Sequence, residues 1–295
     1  MKRVAIIGMS GNSLFYNNIN NEYKLVHEEV GGKGYNQAIA CIRNGVNVSY
    51  LTAVGNDEEG LILENYMKKE GIDTFFVKKK EPTLVAKIYV DESGDNKVEY
   101  NYYKNSILDE DDVLGFEEEI KRSDCLIMQY EYPLEVIKKG IELCKKHNKM
   151  LVINPAPTKY DDIDIVKNAD FITPNKEESM YLFLKNRKYS KSKLIKEEKK
   201  SGIKCIINTL GKDGILLVNQ SEYKEYSSID VNAVDTTGAG DTFNGVFVAT
   251  YLITNDLDYS IQRGVIASGL SVTKHYVMNA IPSNIEIDDY INNLK

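Results

Sequence analysis

The sequence predicts an α/β protein: a three-layer α/β/α sandwich with a mainly parallel central sheet and a small β lid. Three observations predict it. Short β-branched or aliphatic runs recur along the 295 residues. Longer stretches of helical periodicity lie between them. One stretch, 83–105, breaks the alternation with two strand-like runs and no helix between them. Continuous apolar strands suit a sheet covered on both faces, and intervening helices make the pairing parallel, with right-handed crossovers.

The expected strands are VAII (4–7), VSYLTAV (48–54), CLIMQ (125–129), MLVI (150–153), DFIT (170–173), CIIN (205–208) and GILLV (214–218). The spacing predicts helices over 34–44, 58–70, 109–121, 133–147, 175–184 and 257–270, with a solvated helix in the mixed-charge run 188–202. The opening MKRVAIIG is a strand, because its apolar stretch stops at Gly8, too soon for a signal peptide. Within 83–105 the turn DESGDN joins two strands, and EYKLVHEEV (22–30) alternates in the same way before a glycine cluster. These segments make the lid, with its strands inside 12–31 and 83–105. No linker or repeat divides the chain, so 1–295 reads as a single domain.

Composition excludes several classes of function. The charge is −7, from 44 acidic and 37 basic residues, with no basic stripe interleaved with aromatics, which argues against nucleic acid. No apolar run approaches the roughly 18 residues of a membrane span. Four dispersed cysteines (Cys41, Cys125, Cys144, Cys205) and three dispersed histidines form no metal-ligand spacing. The expectation is a cytoplasmic protein with reduced, buried thiols.

Two glycine clusters carry the chemistry. In VDTTGAGDTFNGVF (234–247) the small residues Gly238, Ala239 and Gly240 precede Asp241. Phe243, Val246, Phe247, Thr250 and Tyr251 then recur at helical spacing, so the glycines fall at a helix N-terminus. Unpaired N–H groups and the positive dipole end make an anion site there, provided that no side chain blocks approach. Asp241 beside it is placed to take a proton from a hydroxyl attacking a phosphoryl group. The plain alternative is a glycine-rich turn whose Asp merely favours the dipole. In GGKGYNQAIA (31–40) glycines admit a small polar ligand, and Lys33 and Asn36 offer donors; a tight strand-to-helix turn is the alternative. Neither cluster has the spacing of a dinucleotide fingerprint or of a Walker A loop.

The two clusters resemble the signature motifs of the ribokinase-like (PfkB) family of carbohydrate kinases. MQYEYPLE (128–135), NPAPT (154–158), ITPNKEE (172–178) and NTLGKDG (208–214) match in the family's order, over essentially the whole chain. The resemblance implies an ATP-dependent, Mg²⁺-requiring kinase acting on a primary hydroxyl of a sugar or sugar-like molecule. It makes Asp241 the general base and the amides of Gly238, Ala239 and Gly240 the anion hole. Asn175 and Glu178 would hold Mg²⁺ and phosphate through water, and Thr209 and Gly211 would lie against the nucleotide. Gly32, Lys33, Asn36 and Glu131 match the sugar pocket, and Asp235 and Thr237 match a monovalent-cation site, for K⁺.

Three departures from the family pattern stand out. The family's N-x-D motif after the first strand reads GMSGNSLF (8–15) here, without an acid, so Asn12 and Ser13 only partly replace it. The following segment is short, which implies a reduced lid. Tyr276 stands where the late loop usually has a glycine. The alternatives are a nucleoside or pseudouridine kinase, or a catalytically silent sugar-binding regulator; no DNA-binding segment is read before Met1 or after Lys295. The family's lids often pair subunits, and VEYNYYKN (98–105) would leave a sticky edge, so a homodimer is expected.

Overall fold

The computed structural model describes residues 1–79, 81–90, 96–101, 107–185 and 187–293. In chain order the first elements are β1 (Arg3–Ile7), β2 (Gly11–Ile19), β3 (Glu22–Gly31), α1 (Lys33–Arg43), β4 (Asn47–Gly55), α2 (Glu58–Lys69) and β5 (Asp73–Lys79). Then come β6 (Val85–Val90), β7 (Asn96–Tyr100), α3 (Glu110–Gly115), α4 (Glu117–Arg122), β8 (Cys125–Gln129), α5 (Leu134–Lys146) and β9 (Met150–Asn154). After α6 (Ile163–Val166) follow β10 (Phe171–Ile172), α7 (Lys176–Leu184), α8 (Lys191–Ser201), β11 (Cys205–Thr209), β12 (Ile215–Asn219) and β13 (Tyr223–Tyr226). The last three are α9 (Ala239–Thr254), α10 (Leu257–Ser271) and α11 (Asn284–Asn293).

The apolar runs stand side by side in a nine-stranded sheet of order β13-β12-β11-β10-β9-β8-β1-β4-β5. Successive strand residues point to opposite faces. Accordingly Val4 and Ile6 enter one core with Tyr35 and Ile39 of α1 and Phe243 and Phe247 of α9. Ala5 and Ile7 enter a second core with Val136 and Ile137 of α5. Two cores on two faces of one sheet make the three layers.

Pairing is parallel from β5 to β11, but β11–β12 and β12–β13 are antiparallel. Only residues 210–214 separate β11 from β12, far fewer than a parallel crossover needs. The helix expected over 109–121 is two helices, because Phe116 leaves the helical region (φ −95°, ψ 3°). Its buried ring packs edge-on against Phe75 at 5.1 Å. Strands β5 and β13 and helices α6 and α11 were not expected from the sequence.

The lid is a second sheet of order β3-β2-β6-β7. β2 begins at Gly11, one residue before the expected range. At the turn Asn20 and Asn21 both take positive φ (56° and 63°), as a two-residue type I′ hairpin requires. The strands on either side are nine and ten residues long. Most of the turn DESGDN and of the YYKN stretch lies outside the described residues.

Candidate active site

The N-terminus of α9 is the centre of the site. Gly238, its cap, has φ +72° and contributes no side-chain hydrogen bond; Ala239 N donates to the Thr236 carbonyl oxygen at 3.3 Å, and the helix end carries no side-chain cap. A Cβ on Gly238 would lie 2.6 Å from Cγ1 of Val277, whereas one on Gly240 would meet nothing within 4 Å. The chain is thus backed by Val277 on one side and open on the other. Two cavities adjoin that open side. The larger, about 530 Å³, is lined by Thr209, Gly211, Lys212, Ile229, Ala239 and Gly240 among others. The smaller, about 220 Å³, is lined by Lys33, Asn175, Glu178, Gly238, Gly240 and Asp241 among others. Gly240 and Thr236 belong to both walls, so the two chambers meet at the uncapped helix end.

Asp241 is buried, with both carboxylate oxygens engaged. Asn36 Nδ2 donates to Oδ2 at 3.0 Å and Gln37 Nε2 donates to Oδ1 at 2.9 Å. Both donors stand on α1, which starts at Lys33 because Gly32 turns the chain with φ +107°. A Cβ at Gly32 would lie 2.5 Å from the Met9 carbonyl oxygen, so the turn admits only glycine. The Asp241 carboxylate raises the pKa of Lys33, against the effect of burial and with help from Glu131 and Glu178. The ammonium therefore stays charged at the mouth of α1. Loss of water pushes Glu131 up to about 7; Lys33 pulls it back and Asp241 adds to the rise.

Asn175 caps α7 through a reciprocal box. Its Oδ1 accepts from Glu178 N at 2.9 Å, while Glu178 accepts from Asn175 N at 2.8 Å and from Asn175 Nδ2 at 2.9 Å. Burial raises the pKa of Glu178, opposed by the Asn175 amide and by Lys33. Thr209 N donates to the Pro174 carbonyl at 2.9 Å, which seats the nucleotide-side strand beside this cap. These donors fit Mg²⁺. Glu178 presents hard oxygens on a cavity wall, and the described residues contain no cluster of three acidic, Cys or His ligands. Such an ion keeps several waters and relies on substrate phosphates.

Most of the expected site residues converge here, but Gly32, Asn36, Glu131, Asn12, Asp235 and Thr237 line neither chamber, although Asn36 donates to Asp241. Asn12 lies against Glu59 of α2, donating to its carboxylate and, at 3.3 Å, to its carbonyl oxygen. The carboxylate beside Asn12 thus comes from another element and is engaged by the Asn12 amide itself. Asp235 and Thr237 hold a loop: Asp235 accepts from Thr237 N at 2.9 Å and from Tyr276 N at 3.2 Å. Tyr276 itself takes φ +64°, in the left-handed region that a glycine would favour.

Sequence reasoning missed Gln37, Asn154, Thr173, Thr236 and Asn244, although all but Gln37 line the smaller chamber and Gln37 touches Asp241. A signal existed for all five, since Asn154 opens NPAPT (154–158), Thr173 lies in ITPNKEE (172–178) and Thr236 and Asn244 lie in VDTTGAGDTFNGVF (234–247). Asn244 is three residues after Asp241 on the same helix face, and Gln37 lies within the glycine-cluster motif.

Residues 2–284 match the model of the pfkB family carbohydrate kinases. The chain belongs to that family. It is 34% identical to a ribokinase of Haemophilus influenzae, over 88% of this chain and 87% of that protein. It is 30% identical to a deoxyribokinase of Salmonella typhi, over 88% and 87% of the two chains. The crystal structure of a Thermotoga maritima ribokinase superposes with a TM-score of 0.86 at 28% identity, covering 99% of this chain and 100% of that one. The fold is therefore ribokinase-like, and the protein is an ATP-dependent sugar kinase. Among the described residues, no helix of this kinase is long and apolar enough to cross a membrane.

Proposed function

We propose that this kinase transfers the γ-phosphoryl group of ATP to the primary hydroxyl of a pentose-like sugar, with Asp241 as the general base. The observation that carries the reading is the meeting of the two chambers at Gly240, with the base on the smaller side. ATP would occupy the larger chamber and the sugar the smaller one. Asp241 takes the hydroxyl proton as the sugar oxygen bonds to the γ-phosphorus. The bond from that phosphorus to the bridging oxygen breaks, and ADP leaves with the electron pair. The amides at 238–240 and the Lys33 ammonium stabilise the charge on the transferred group. Glu178 and Asn175 would hold Mg²⁺ through water, and the ion would supply further neutralisation of the phosphates.

Asp241→Asn keeps the shape and loses the base, so kcat falls by roughly 10²–10⁴ with the fold intact. A variant that turned over its best sugar at near the wild-type rate would overturn the assignment. For the sugar, the absent acid at 8–15 predicts weak discrimination at the vicinal hydroxyls. One hydrogen bond to a charged group is worth about 1.5–3 kcal/mol, roughly ten- to a hundredfold. 2-Deoxyribose is therefore expected to match or exceed ribose in kcat/KM. A sub-millimolar ribose KM, with kcat/KM above every other sugar in a panel, would refute that choice.

The Asp235 carboxylate is engaged by two main-chain N–H groups, which supports a loop set by the protein itself. We infer a rate that holds within about twofold when K⁺ is replaced by a bulky organic cation. Tyr23 and Leu25, exposed on the lid face that also carries the stacked Tyr16 and Tyr89, support pairing with a second copy. The four buried, unpaired cysteines support a reducing compartment.

A further inference from the structure

The base is held by a side chain whose own orientation is decided some distance away. Gln37 is fully buried on α1, with its amide nitrogen 2.9 Å from Asp241 Oδ1 and 3.2 Å from Asn154 Oδ1. The two ends of a glutamine amide have nearly the same shape, so packing alone does not decide whether a donor or an acceptor meets the base. Hydrogen-bond polarity does. Asn154 lies 2.9 Å from the main-chain carbonyl oxygen of Thr173, which can only accept. Asn154 must therefore turn its NH₂ group there and its oxygen toward Gln37. Gln37 must answer with its own NH₂, whose two hydrogens serve Asn154 and Asp241. Its oxygen then accepts from Gln129 Nε2 at 2.7 Å, on the side away from the base. Each step leaves one polarity for the next, and the series starts at a carbonyl that cannot rotate.

We propose that Gln37 is a positioning residue for Asp241, its donor end turned to the base by a relay from the Thr173 carbonyl through Asn154 and locked by Gln129. Thr173 lies between β10 and Asn175, so the relay ties the base to the strand end that carries the Asn175–Glu178 cap. Both of its outer members, Asn154 and Thr173, line the smaller chamber. The inference rests on the reading of Asp241 as the base.

The test reverses polarity without changing shape. Gln37→Glu puts acceptors against Asp241 and Asn154. Its kcat is expected to fall about 10- to 100-fold at neutral pH, the range for losing a hydrogen bond to a charged group. The KM values for sugar and ATP stay within about threefold. Part of the rate returns as the pH is lowered and the introduced carboxyl becomes a donor, opposite in trend to the wild type. Gln129→Glu touches neither substrate nor base. The acceptor it sets opposite the Gln37 oxygen competes with Asp241 and Asn154 for the Gln37 NH₂ group, and kcat falls about tenfold with KM unchanged. A kcat within twofold of wild type in both folded variants, or KM values rising in parallel with the loss, overturns the proposal. Should Gln37→Glu fail to fold, Gln129→Glu decides alone. An active Asp241→Asn would instead remove the underlying reading, so the two failures are distinguishable.

Discussion

Lys33, Glu131, Glu178 and Asp241 put three carboxylates around one ammonium, and water is scarce at each of them. Such a set cannot be fully ionised without cost, because burial disfavours charge and neighbouring carboxylates disfavour one another. Glu131 takes most of that cost, with its pKa raised from 4.5 to about 7. The consequence for stability has a definite sign. As pH rises from 4.5, Glu131 in the unfolded chain ionises while the folded one stays protonated to about 7, so stability is lost across that window and stays lost above it. Glu131→Gln removes the loss. Its melting temperature relative to wild type is expected to be higher at pH 8 than at pH 5, as measured by thermal unfolding at both. An equal offset at the two pH values would show that Glu131 is already ionised in the folded protein.

At the scale of elements, the lid and the N-terminus of α9 are joined through the loop after α10. Glu29 of β3 is buried and accepts from Val277 N at 3.1 Å and Met278 N at 3.0 Å. His27, two residues earlier on the same strand face, stacks on Tyr276 with ring centroids 3.6 Å apart. Val277 in turn backs Gly238. Gly238→Ala therefore meets two obstacles. A left-handed φ costs a non-glycine residue roughly 1–2 kcal/mol. The new Cβ also falls within 2.6 Å of a side chain whose backbone the lid holds in place. A tenfold or greater loss of kcat is expected. Adding Val277→Ala to Gly238→Ala returns part of the rate by making room, while the cost of φ remains. Steady-state kinetics on the single and double variants checks this, and no recovery would leave the backbone conformation as the whole effect.

For the whole molecule, the four-stranded lid turns Tyr16, Tyr23, Leu25 and Tyr89 to one face, and Tyr23 and Leu25 remain 49% and 45% exposed. Several apolar groups on one face of a small sheet are costly to leave in water. Light scattering is expected to give a dimer for the wild type and a monomer for the Tyr23→Lys/Leu25→Lys pair. A wild type that is monomeric at micromolar concentration would refute lid-to-lid pairing.

By itself the sequence determined the parallel strands other than β5, because each of them is a continuous apolar run that only a doubly covered sheet can bury, whereas β5 (DTFFVKK) is half exposed and polar at both ends. It also determined the N-terminus of α9, because small residues ahead of a periodic run place a helix start there with no side-chain cap. The antiparallel β11–β12 pair was within reach too, since five intervening residues cannot make a crossover. Other features depended on residues far apart in the chain. Gln37 and Asp241 meet across 204 positions, Glu29 and Val277 across 248, and Asn12 finds its acid 47 residues away on α2. No local pattern marks such partners, because a buried amide or carboxylate is chosen to satisfy whatever the fold brings opposite it. Local periodicity and turn chemistry are written in neighbouring residues, whereas hydrogen-bond polarity inside the site exists only once the layers have packed.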